Sequence, residues 1–234
     1  MEQMGSVLMG SSRTRRLEKR AREVLGISGQ VIWEASSQES LDFPELGPQV
    51  AVTGTEDDLS SHTIRYVGDK ELSDYLLLHE LCHAKLNEIG FKSIEMEFRE
   101  QVDAIMSVII VGETLADYLA CQSFKPESES HIKTQLRIYR DTGYIAKGSR
   151  VYGFWGVAQG ASFRAVYDTF DHKEAEALET YARAALKGSM FTRYASTYKA
   201  LRETLPLPLP LTSRVFDLAV VRKAILALSR VGKT

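Results

Sequence analysis

The chain has 234 residues, 44% of them apolar and 26% charged, enough for one large domain or two small ones with a sizeable core. Its 29 lysines and arginines nearly balance 31 aspartates and glutamates, for a formal net charge of -2, which excludes a global electrostatic pull towards nucleic acid or anionic lipid. Cys82 and Cys121 are its only cysteines, too few for a disulfide framework and suited to free thiols in a reducing compartment.

In the N-terminal "MEQMGSVLMGSSRTRRLEKRAR" the basic cluster follows a short apolar stretch and no sustained hydrophobic region exists. This is not the order of a secretory signal, so the chain is expected to begin near Met1. The longest apolar run, around 104–111, falls short of the roughly 20 residues that cross a bilayer; no membrane span is expected, and the expected location is the cytoplasm. Over 14–25 the spacing of Leu17, Ala21, Val24 and Leu25 predicts an amphipathic helix, with Arg13, Arg15, Arg16, Lys19, Arg20 and Arg22 on its other faces and Gly26 to end it. Those arginines read first as a solvated face and second as a contact for nucleic acid or an acidic partner.

Short β-like pieces follow, "QVIWEA" and "QVAVTG", separated by the loop residues "DFPELGP". A third, "HTIRYVG", alternates His62, Ile64 and Tyr66 against Thr63, Arg65 and Val67, the pattern of an edge strand. Asp69 can cap the next helix, with Glu71 in its first turn and Gly90 at its end. After "FKSIEMEF" a second long apolar helix runs to about Gln122, where "KPESES" is expected to break it. The remainder reads as helices over 130–141, 151–170, 173–186, 190–203 and 213–229, with "LPLPLPL" as a polyproline-like connector before the last. The fold class is therefore α+β and mostly helical: a small N-terminal sheet, two central helices and a helical C-terminal half. The expected division is a core over 1–125 and a helical extension over 126–234 packed on it.

The stretch "LLLHELCHAKL" carries the chemistry. Residues four apart lie on one helical face, so His79 and His83 can offer imidazole nitrogens to one metal ion. Glu80 lies about 100° round from His79, placed to act on a water at the metal rather than to ligate. Zinc held by two imidazoles and a carboxylate keeps a position open for water, lowers its pKa and polarises a carbonyl. The plainer alternative, two histidines satisfied within a core, is disfavoured because Leu72, Leu76 and Leu86 continue their stripe.

A third ligand is offered by "VGETLADYLA". Glu113 and Asp117 share a helical face among Val111, Leu115, Ala116 and Leu119, where a buried carboxylate requires a partner. Glu113 is assigned to the metal and Asp117 to orienting a ligand histidine; an ordinary surface pair is the alternative. Cys121, one turn further on, reads as an inert thiol before a redox sensor. Tyr139, Tyr144, Tyr152, Phe154 and Trp155 read as core packing, although a tyrosine among them could face an oxyanion opposite the zinc.

H-E-x-x-H on one helix followed by E-x-x-x-D on the next resembles the gluzincin metallopeptidases, and within them "ETLADYLA" and the strand before the motif look most like the ImmA/IrrE group. The resemblance covers residues 61–123. It implies a minimal zincin-like core, zinc on His79, His83 and Glu113, and Glu80 as the general base that takes a proton from water and returns it to the leaving amine. Cys82, where that group often has glycine, and the long helical C-terminal half depart from it. The expected function is a zinc-dependent metallopeptidase acting on a protein or peptide, with "HTIRYVG" as a strand that could pair with extended substrate. "HELCHA" also looks like the SprT-like, DNA-associated proteases, which take a third histidine from a later segment. His131 is the candidate in that direction, without matching flanks; by itself it reads as a polar residue on a helix. A non-catalytic zinc-binding interaction protein is the remaining alternative.

Overall fold

The structure is a computed structural model and describes residues 12–37, 41–43, 47–48, 51–67, 72–142, 150–205, 207 and 217–231. Helix α1 (Ser12–Leu25) buries Thr14, Leu17 and Ala21. It ends where Gly26 takes a positive φ of 66° and donates its N–H to Arg22 O, the left-handed turn that favours glycine. Strands β1 (Gln30–Ser36), β2 (Asp42–Phe43), β3 (Gly47–Pro48), β4 (Ala51–Thr55) and β5 (Ser61–Val67) follow. Among the described residues β2 and β3 pair only with each other, whereas the main sheet has the order β1-β5-β4, β5 running parallel to β1 and antiparallel to β4.

The sheet corrects one expectation. "HTIRYVG" is the central strand, not an edge, and β4 and β1 form the edges. Alternation does report one buried face, since His62 and Ile64 are fully buried. It carries no information about lateral neighbours, which are chosen by pairing with segments distant in sequence.

Helix α2 (Asp74–Glu88) carries the histidine motif. Its cap is Ser73, whose hydroxyl accepts from Leu76 N, and Asp74 supplies the first-turn carboxylate; the expected cap Asp69 and first-turn Glu71 lie outside the described residues. Gly90, with φ 118°, turns the chain into α3 (Phe91–Phe98), so that "FKSIEMEF" is a helix of its own. Helix α4 (Val102–Ser123) follows, then α5 (Lys125–Thr142). The expected break in "KPESES" is only the single residue Phe124. Pro126 sits in the first turn of α5, where a backbone N–H is not needed, and Ser128 Oγ donates to the last carbonyls before the turn, Ala120 O and Phe124 O. Helices α6 (Arg150–Phe170), α7 (His172–Ala185), α8 (Ser189–Thr204) and α9 (Leu218–Val231) complete the order. Most of "LPLPLPL" and the side chains of Tyr139, Tyr144, Tyr152, Phe154 and Trp155 lie outside the described residues.

The molecule is α+β and dominated by helix, as expected. The main core joins Leu17 of α1, Trp33 and Ile64 of the sheet, Leu78 and Leu81 of α2 and Val111 and Leu115 of α4 to Ala158, Leu201 and Ile225 of the C-terminal helices. One apolar core thus runs across residue 125. Within α4, Ala104–Ser123 is long and apolar enough by composition to cross a membrane, beyond what the run at 104–111 suggests; 78% of its most apolar window is buried by the surrounding elements.

Two polar clusters fasten these elements. Arg13 and Arg16 pair with Asp74, Arg20 with Glu127, and Arg22 with Glu18 as well as Ile27 O and Gly29 O. Much of the basic face of α1 is therefore engaged by the chain's own carboxylates and carbonyls. At the other end of α2, Glu88 accepts from the backbone N–H groups of Ser28 and Gly29 at 2.8 and 2.7 Å and meets His62 Nε2 at 3.1 Å. Burial would raise the Glu88 carboxyl, but His62 and the two N–H donors hold it down at about 2, below its ordinary 4.5. Its ionised form is favoured by folding, so this contribution is complete above about pH 4.5 and is lost as pH falls towards 2. Glu88→Gln is expected to lower stability at pH 7 by about 1–3 kcal/mol, read as the urea midpoint, and to flatten its pH dependence between these limits. An unchanged midpoint and an unchanged acid limb would remove Glu88 from this role.

Candidate metal centre

Helices α2 and α4 lie side by side and antiparallel, since Tyr75 near the start of α2 meets Asp117 late in α4 while His83 meets Glu113 one turn earlier. Both helices are largely apolar where they face each other, which carries the few polar side chains of this seam into the interior. There His79 Nε2 and His83 Nε2 stand 3.1 Å apart. The Glu113 carboxylate bridges them, Oε2 3.3 Å from His79 Nε2 and Oε1 3.3 Å from His83 Nε2. One donor atom from each of the three lies within 4.8 Å of the others, so this group can hold a metal ion.

The donor set fits a tetrahedrally coordinated metal ion of the size of zinc. Bonds of about 2.0–2.2 Å at tetrahedral angles put neighbouring donor atoms roughly 3.3–3.6 Å apart, close to the spacings found here. Without a cation the charges are awkward: burial would lower both imidazoles, yet the carboxylates of Asp117 and Glu113 raise His79 well above its ordinary value, and Glu113 raises His83. Glu113 in turn is held far below the carboxylate range, burial notwithstanding, by His83 and His79. A metal ion held here would take the place of a proton in this cluster, with two neutral imidazoles and one carboxylate available as ligands.

Asp117 lies behind His79 on the side away from His83 and Glu113. Its Oδ1 accepts from Tyr75 Oη at 2.6 Å and lies 2.9 Å from His79 Nδ1. The second contact is at ion-pair distance but poorly aligned, leaving Nδ1 without a hydrogen bond in a buried setting. With a metal on Nε2, Nδ1–H would be the hydrogen that faces Asp117, the usual arrangement behind a ligand histidine. Asp117→Asn is therefore expected to weaken zinc affinity by about 10- to 100-fold without destroying the site, measured by competition with a chromogenic chelator. Undiminished affinity would show that Asp117 does not orient His79.

Glu80 is buried beside this group but outside the ligand set. Its Oε2 lies 2.7 Å from Thr53 Oγ1 on β4, a hydroxyl that also lies 3.0 Å from Glu80 O. Thr53 thus fixes the rotamer of Glu80, a role for which the sequence contains no signal because the contact joins a strand to a helix 27 residues on. His131 is not among the metal donors. It stacks on Tyr75 with centroids 4.0 Å apart and planes at 12°, and lies against Phe163. Burial lowers its imidazole to about 4, so it is neutral at pH 7. It lies on a helix, α5, as read from the sequence, and also forms part of the wall of the cleft that contains His79, Glu80 and Glu113.

That cleft has a volume of about 280 Å³ and is bordered on one side by Ala51, Val52 and Thr53 of the edge strand β4. Gly112 packs closely: a Cβ there would stand 3.1 Å from the Phe91 ring, which would have to give by a few tenths of an ångström, and 4.0 Å from His83 Cε1. Cys82 and Cys121 are buried free thiols, and burial raises both, Cys121 to about 12, which favours the protonated thiol over the reactive thiolate.

The chain matches no family model, no curated protein and no solved structure. Its functional reading therefore stands on the geometry of this cleft.

Proposed function

We propose that the protein is a zinc-dependent metallopeptidase of gluzincin type, hydrolysing a peptide bond of a protein or peptide. The observation that carries this reading is the convergence of His79, His83 and Glu113 on one point, with the non-ligating carboxylate of Glu80 beside it. Zinc bound there supplies a Lewis acid and a water of lowered pKa. His79, His83 and Glu113 hold the ion; Asp117 orients His79. The Glu80 carboxylate, kept in place by Thr53, takes the proton from the attacking water and passes it to the leaving nitrogen. An extended substrate has β4 for a neighbour, because among the described residues β4 pairs only with β5, and it borders the cleft. This moves the substrate-pairing role from "HTIRYVG", which is enclosed between two strands, to the edge strand beside it.

The test is reconstitution. Protein stripped with a chelator and reloaded with one equivalent of zinc is expected to cut an unfolded protein such as reduced casein, with activity lost on stripping and regained on reloading. Zinc-loaded protein that leaves unfolded proteins and peptide libraries intact would overturn the peptidase reading.

A further inference from the structure

The antiparallel seam gives the cleft two ends. At one, Tyr75 and Asp117 meet; the other, past His83, is walled by Phe91 and Glu95 of α3 and by Ile109 and Gly112 of α4. Glu95 lies one turn beyond Phe91 and is mostly screened from water, which raises its carboxyl above the ordinary value. Among the described residues it has no hydrogen bond and no ion pair. Lys92 on its own helix and the His83 imidazole attract it without pairing with it, and the ion pair of Lys92 is with Asp57. A partly buried carboxylate without a hydrogen bond or a close ion pair gains from a cation brought into the cleft.

The charge of the whole cleft points the same way. Glu80, Glu95, Glu113 and Asp117 line it, and among its described lining residues there is no lysine or arginine. Even a divalent ion on the histidines leaves these four carboxylates with an excess of negative charge, which attracts cations and repels acids. The shape matches as well: Phe91 and Ile109 offer apolar walls for a methylene stem, with Glu95 to receive its charged head.

We propose that Glu95 anchors a basic side chain, so that the substrates are peptides carrying lysine or arginine next to the bond that is cut. This rests on the peptidase reading of the cleft and names its substrate class. The presence of Gly112 keeps that pocket open, since a methyl group there would push the Phe91 ring.

Two measurements test it. In the first, the zinc-loaded wild type and Glu95→Gln digest a peptide library, and cut sites are read by mass spectrometry. Lysine or arginine is expected at one flanking position about 10- to 100-fold more often than aspartate or glutamate, the range of a charge-assisted hydrogen bond, and Glu95→Gln is expected to lose this preference while still cutting neutral sites and keeping its zinc. No preference in the wild type, or the same preference in the variant, overturns the proposal. The second needs no turnover: calorimetry of zinc-loaded Glu80→Gln with blocked hexa-alanine peptides carrying one lysine or one leucine at each position in turn. Tighter binding of a lysine peptide that disappears when Glu95→Gln is added supports the anchor even if the wild type hydrolyses nothing, in which case only the peptidase reading fails. Equal binding of both peptides, or none, overturns the anchor itself.

Discussion

Glu113→Ala is expected to abolish tight zinc binding, while His131→Ala leaves it intact. The two substitutions decide the third ligand, which two imidazoles on one helix leave open. The geometry favours the carboxylate: its two oxygens lie 3.3 Å from His79 Nε2 and His83 Nε2, whereas the imidazole of His131 is stacked on Tyr75 and stands outside the donor group. Losing a direct ligand should cost more than the roughly 10- to 100-fold typical of an orienting partner. It also removes the carboxylate that chiefly raises His83, while Asp117 stays beside His79, so the larger downward shift is expected at His83. Zinc stoichiometry after dialysis against a weak chelator reads the outcome. Full occupancy in Glu113→Ala together with loss in His131→Ala would exchange the two roles and bring the SprT-like alternative forward.

The second large effect is expected at Glu80. Glu80→Gln keeps the shape and an oxygen that can accept from Thr53 Oγ1, so folding and zinc content should match the wild type. It removes the proton acceptor, and general-base catalysis is worth about 10²- to 10⁴-fold in rate. The loss should appear in kcat with little change in KM, because the group acts on water rather than on ground-state binding. A variant that retains zinc and full turnover would show that another group takes the proton. One that loses zinc would show that Glu80 is part of the ligand set, contrary to its place beside it.

How far the sequence reaches can be judged from these residues. Helix periodicity alone puts His79 with His83 and Glu113 with Asp117, because a spacing of four is one turn and needs no tertiary knowledge. The same local rule, with an apolar flank on every side, shows that both pairs turn inward. It also locates most helices within a few residues, and it errs where a first turn uses proline, as at Pro126, or where a short helix such as α3 is bounded by a glycine rather than by polar caps. Tyr75 belonged within reach too, four residues before His79 on the same stripe.

The remaining features are contacts between elements, and these depend on how separate stretches pack. That β5 is central and β4 forms the edge beside the cleft follows from pairing partners far apart in the chain, about which the alternation within a strand says nothing. Thr53 on Glu80, His131 on Tyr75, and Glu95 at the end of the cleft are ordinary residues by composition, singled out only when α2, α3, α4, α5 and β4 are brought around one space. The sequence by itself determined which side chains could bind a metal, since that depends on spacing within one helix. The tertiary structure decided which carboxylate meets them, which strand borders them and what charge the cleft presents, because each of these depends on distances between segments that only packing sets.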